Sequence, residues 1–264
     1  MRKSKYLAVL LAAGVFMTFA MGSGSSTPSS TTTVNVENSS STESTSTETA
    51  EETKPAEDEI KYEVTDSKFE YYTNSIGRVE YYGLVEVTNT GNCNLYLSKA
   101  IFDLEDDDGH LLQSDDFISN APSVIKPGEK GYFYNGLGSN LIDESVSLDK
   151  GVNLVPQITV KKATGEPERY EVTDTDLKEG TLGSPTVTGR LINDTSEEIS
   201  YIYINVIFYD SNGKVLAVSG TSLTEVPANG KQSFECSSVF GNDNVKMSDI
   251  ANYEVIAEAT YMQF

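Results

Sequence analysis

The side chains here with the widest chemical reach are one histidine, two cysteines and 40 carboxylates, against 19 lysines and arginines. The histidine, His110, follows Asp107-Asp108-Gly109 in a turn, and a lone turn histidine cannot supply a His-rich zinc site. With no second histidine, a His-assisted Ser or Cys nucleophile would have to use this one, and nothing in the neighbouring sequence speaks for it. No Gly-x-Ser-x-Gly elbow, P-loop, Gly-x-Gly-x-x-Gly or His-Glu-x-x-His occurs. Carboxylates abound, but no spacing marks a glycosidase pair. The reading is therefore of a protein that is not an enzyme and needs no cofactor.

Three smaller constellations remain. Asp106, Asp107 and Asp108, beside Glu105, could attract Ca²⁺, yet an EF-hand register that places Gly109 sixth would put Leu104 first, where a carboxylate belongs. These aspartates are weak metal candidates beside the plainer reading of a solvated acidic turn. Tyr201, Tyr203 and Tyr209 alternate with apolar residues and share the outer face of one strand, where rings can stack on a sugar or a protein or simply shield the sheet. Cys93 and Cys236 fall at non-equivalent places. In an exported chain they invite a disulfide, but only with Cα atoms within ~7 Å, and two separate thiols is the simpler expectation.

The elements that position these groups repeat. Residues 201–210, YIYINVIFYD, align with residues 97–106, LSKAIFDLED, at an offset of 104. Phe102 meets Val206, Leu104 meets Phe208, Asp106 meets Asp210 and Gly109 meets Gly213. Tyr-Glu-Val-Thr-Asp opens at Tyr62 and again at Tyr170. Alternating strands ending at Asn89 and Asn193 precede the long strands, and Asp-Gly and Asn-Gly turns follow them. Ile202, Ile204, Val206 and Phe208 should fill one core, with Ser98, Ala100, Phe102 and Leu104 as smaller counterparts in the other. Short strands at 8–12-residue spacing with almost no helix predict an all-β chain of two tandem immunoglobulin-like antiparallel β-sandwich domains, over 60–163 and 168–264. The joint at 163–168 is short and should permit little relative motion.

Arg2, Lys3 and Lys5 precede an apolar run over 6–21, which reads as a signal peptide (1–22) cut after Ala20 or Gly22, with an uncleaved anchor as the alternative. The run is short for a spanning helix of ~20 residues. Residues 20–26 have the small-residue pattern of a lipoprotein signal, but Ser23 stands where the lipidated cysteine would be. Residues 23–59 are dense in Ser, Thr and Glu and should form a disordered linker with a reach of roughly 30–35 Å. Net charge is −21, so nucleic acid and anionic membrane surfaces are poor partners.

The central strands resemble the FxLYD-domain family, named for Phe-x-Leu-Tyr-Asp. Phe102-Asp103-Leu104-Glu105-Asp106 keeps Phe, Leu and Asp, and Val206-Ile207-Phe208-Tyr209-Asp210 keeps Tyr and Asp. The preceding Gly-x-Leu-x-Asn strand matches at Gly189, Leu191 and Asn193, with Val85 replacing Gly in the first copy. The resemblance implies an immunoglobulin-like fold on exported prokaryotic surface proteins and carries over no catalytic or ligand residues. The expectation is a secreted or cell-surface protein presenting two interaction modules on an acidic stalk to a protein or envelope component. The alternative is an extracellular carbohydrate binder using the tyrosine stripe.

Overall fold

The computed structural model describes residues 58–74, 76–135, 141–180, 183–237 and 245–259. The expected signal peptide and all of the expected linker but Asp58 and Glu59 lie outside the described residues. Those two are held by the folded part: Asp58 pairs with Lys162, and the Glu59 N–H donates to Asn92 Oδ1 at 2.6 Å.

Among the described residues the chain is all-β and antiparallel, with one 3₁₀ turn at Met247–Asp249. The first repeat contributes β1 (Tyr62–Thr73), β2 (Val79–Asn89), β3 (Leu95–Glu105), β4 (Leu111–Asp115), β5 (Ile118–Ala121), β6 (Val124–Ile125), β7 (Lys130–Asn135) and β8 (Asn153–Lys162). The second contributes β9 (Arg169–Tyr170), β10 (Val172–Glu179), β11 (Pro185–Asn193), β12 (Ile199–Tyr209), β13 (Val215–Val226), β14 (Gly230–Ser237) and β15 (Asn252–Ala259). One sheet of the first repeat runs β1-β2-β7-β5, and its partner centres on β3 between β4 and β8. The second repeat has β10-β11-β14 facing β13-β12-β15-β9. The central strands keep one topology: β1-β2-β7 corresponds to β10-β11-β14, and β4-β3-β8 to β13-β12-β15. Register repeats too: Val64 lies opposite Val87 directly before a bulge, and Val172 lies opposite Leu191 one pair before the corresponding bulge.

Alternation along the strands explains the cores. In β12, Ile202, Ile204, Val206 and Phe208 are fully buried, each contributing about 1.5–3 kcal/mol by leaving water. In β3, Ala100, Phe102 and Leu104 take the same role, but Ser98 does not. A bulge between Leu97 and Lys99 shifts the register by one, so Leu97 and Leu95 turn inward. Leucine thus fills the space a strict alternation would have left to serine.

The repeats differ along one edge. In the second repeat β13 stays beside β12 for its twelve residues, from Val215 to Val226, with one bulge at Leu216. In the first repeat the corresponding run leaves β3 after Asp115, crosses to the other sheet as β5 beside β7, and returns as β6. Pro122, which cannot donate to a ladder, sits at the return.

Candidate binding surface

Two buried asparagines close each repeat in the same way. Asn89 Nδ2 donates to the carbonyls of Cys93 (2.9 Å) and Ile125 (3.1 Å), while its Oδ1 accepts from the Gly91 N–H at 3.0 Å. Asn193 Nδ2 donates to Glu197, Val226 and Pro227 carbonyls at 2.8, 3.1 and 3.0 Å, and its Oδ1 accepts from the Thr195 N–H at 3.1 Å. Each asparagine ties its own turn to the strand that returns beside it. Both are fully buried, so the side chain is a scaffold part with every polar atom engaged.

The acidic turn is likewise built for itself. Asp106 Oδ1 accepts from the N–H groups of Asp108 (2.9 Å) and His110 (2.8 Å), and Oδ2 lies 3.1 Å from His110 Nδ1. Asp210 repeats the arrangement with Asn212 and Lys214, both at 2.8 Å. The N–H donors, led by that of His110 in the first repeat and of Lys214 in the second, hold both carboxyls below the ordinary aspartate range. Gly109 and Gly213 supply the positive φ, 81° and 76°, that ends each turn. Of the three aspartates expected as metal candidates, Asp107 accepts from Asn153 Nδ2 and Asp108 pairs with Lys150 at 3.0 Å. One oxygen or nitrogen each of Asp106, Asp108 and His110 falls within 4.8 Å of the others, a grouping the spacing missed by discounting His110. Lys150 stands 4.0 Å from Asp106 as well, so one ammonium offsets part of this cluster's charge.

The tyrosine stripe is split. The outer face of β12 carries Tyr201, Tyr203, Asn205, Ile207 and Tyr209, and its second half is covered by the outer face of the first repeat. Tyr82 Oη accepts from the Val218 N–H at 3.0 Å, Tyr134 Oη donates to Asn205 Oδ1 at 3.2 Å, and Tyr132 and Tyr209 hydroxyls meet at 3.5 Å. Lys68 Nζ donates to the Leu216 carbonyl at 2.9 Å. Tyr82, Leu84, Tyr132 and Tyr134 belong to the same apolar cluster as Ile204 and Ile207. The two sandwich-like halves therefore share a buried face, giving four stacked sheets. Tyr209 is half-buried: burial raises its hydroxyl to about 12, and its Oη donates to Glu254 at 3.0 Å. A Cβ at Gly220 would stand 3.0 Å from Tyr134 Oη, so any larger residue there would push that hydroxyl aside by a few tenths of an ångström.

Only Tyr201 and Tyr203 stay open, 39% and 43% exposed, their rings edge-to-face with centroids 4.9 Å apart. Ser222 and Thr224 of β13 lie opposite them, and Glu258 of β15 lies on the other side of Tyr203. This ledge is where the second repeat's sheet extends past the first repeat.

No family model and no curated protein matches the chain.

The border of the ledge is a carboxylate. Glu258 is 3% exposed and accepts from both the N–H and the hydroxyl of Ser123, at 2.7 and 2.9 Å. Burial pushes its pKa up, and the Ser123 donors and Arg169 pull it partly back. Arg169 itself bridges to Glu129 at 2.9 Å and to the Val124 carbonyl at 3.1 Å. Cys93 and Cys236 are both free and sit in different clusters, one in each repeat's core; burial raises the Cys236 thiol to about 11.

Proposed function

We propose that this chain is a non-enzymatic, exported surface or secreted protein. It presents two tandem immunoglobulin-like, FxLYD-like modules on an acidic N-terminal stalk to another protein or an envelope component. The observation that carries the reading is how the polar side chains are spent. Asn89, Asn193, Asp106 and Asp210 tie turns, and Tyr82, Tyr132, Tyr134 and Tyr209 join the halves, which makes one two-repeat body with open surface for a partner. The strand order, with β1, β2 and β7 facing β4, β3 and β8, and β10, β11 and β14 facing β13, β12 and β15, is that of immunoglobulin-type sandwiches and supports the module assignment. Intact mass and cell fractionation of the protein from its own host test this. Protein in the medium or on the cell surface agrees; full-length protein confined to the cell interior refutes it.

The second reading, carbohydrate binding, is favoured by the exposed pair Tyr201 and Tyr203. Glycan-array binding that disappears in a Tyr201→Ala/Tyr203→Ala double variant would support it, and binding that survives would dismiss the pair.

A further inference from the structure

We propose that the free edge of β13 is a strand-pairing surface for a second copy of this chain. Among the described residues β13 ends its sheet, with β12 as its one ladder partner. Its even-numbered residues point their N–H and C=O groups away from β12, as the Val218 N–H and the Leu216 carbonyl show by bonding Tyr82 and Lys68 of the first repeat. Those two side chains cover the beginning of the edge. Beyond them Gly220, Ser222 and Thr224 are all exposed. The edge thus continues out of an established interface into solvent.

Natural sheets protect such edges with charge, proline, bulges or brevity. The other edges among the described residues follow that rule. β1 carries Asp66 and Lys68 with a bulge, β10 carries Asp174 and Lys178 with a bulge, β8 has Pro156 and two lysines, β14 has Lys231 and Glu235, and β4, β5 and β9 are short. In the first repeat the equivalent edge is dismantled by the crossing into β5. β13's own bulge, at Leu216, lies under Lys68; beyond it, from Ala217 to Thr224, β13 alone runs with no charged side chain, in a chain of net charge −21. A cationic partner would find nothing to attract it there. A second copy fits because uncharged residues meet uncharged residues in an isologous pair.

The register follows from the exposed residues. A two-fold axis at Ser222 sets Ser222 against itself and Gly220 against Thr224 of the other copy, so all three outward residues form ladder pairs. The nearest charges, the two Glu225 side chains, then sit six residues apart along the ladder. That is roughly 20 Å at ~3.3 Å per residue, beyond the screening length of about 8 Å. The sheets β13-β12-β15-β9 of two copies become one continuous sheet, with the tyrosine ledge of each flanking the seam.

Sedimentation of the chain as its host produces it, up to about 100 μM, reads the dimer directly, because association follows mass action. The expected result is a dimer that Ser222→Pro weakens by roughly thirtyfold, since the two N–H donors at the axis are lost. Ser222→Lys, at an exposed position that leaves each fold intact, should also be monomeric. Mixed with Ser222→Glu it should re-form a heterodimer, which only pairing of position 222 with itself predicts. Wild-type protein that stays monomeric, or a dimer indifferent to Ser222→Lys, overturns the proposal.

Discussion

Tyr82→Phe isolates the bond that most directly joins the repeats. The ring stays and its cavity stays filled, but the Val218 N–H, now accepted by Tyr82 Oη at 3.0 Å in a fully buried setting, loses that acceptor. An orphaned buried donor costs about 1–3 kcal/mol, more than the net worth of an average hydrogen bond, because desolvation is no longer compensated. Tyr82→Ala adds a cavity and should cost about 3–5 kcal/mol. Urea unfolding followed by far-UV circular dichroism gives the stability change, and amide exchange resolved at Val218 gives the local one. For Tyr82→Phe we expect a lower midpoint with unchanged slope, together with early exchange at Val218. An unchanged midpoint with Val218 still protected would refute the claim that this hydroxyl caps the β13 edge.

Other consequences are equally concrete. Asn193→Ala frees three carbonyls and one N–H in a buried turn and should destabilise by about 2–4 kcal/mol, as should Asn89→Ala; a loss under about 0.5 kcal/mol in urea unfolding would contradict the scaffold role. Glu258 has a folded pKa above its ordinary 4.5, so its ionised form weakens the fold at neutral pH, and that cost vanishes as pH falls through the folded pKa toward 4.5. Glu258→Gln, which keeps an acceptor for Ser123, should therefore be at least as thermally stable as wild type at pH 7, with the difference shrinking toward pH 4.5; a variant less stable at pH 7 would mean the carboxylate is held by charge. Cys236, with its thiol pushed up to about 11, should react with a disulfide reagent only on the timescale of unfolding, and rapid labelling of the native protein would contradict its burial.

Much of this was legible in the sequence because the repeat writes the same solution twice. Asn89 and Asn193 ending alternating strands, and Asp106 and Asp210 opening turns closed by glycine, mark positions where one side chain serves several backbone groups. Gly189, matched to the Gly-x-Leu-x-Asn pattern, has a packing reason: the Phe234 ring would lie 2.6 Å from a Cβ there, whereas the first repeat carries Val85 opposite Phe133. What alternation could not give is a register change. Ser98 was placed inside on parity, and one bulged residue moved Leu97 there instead. Nor does parity say what covers an outward face. Tyr209 and Tyr203 obey the same alternation, yet one is half-buried against Tyr132 and the other is open, a difference set by a strand more than seventy residues away. The switch of β5 between sheets was likewise hidden, since four residues around Pro122 carry little period to read.

The account rests on the two repeats being one body, and amide exchange under increasing urea tests that most directly. It predicts that the core amides of Phe102 in β3 and Phe208 in β12 open with the same free energy and the same denaturant dependence, in one transition. Two separated transitions, with either repeat unfolding while the other keeps its protection, would contradict it.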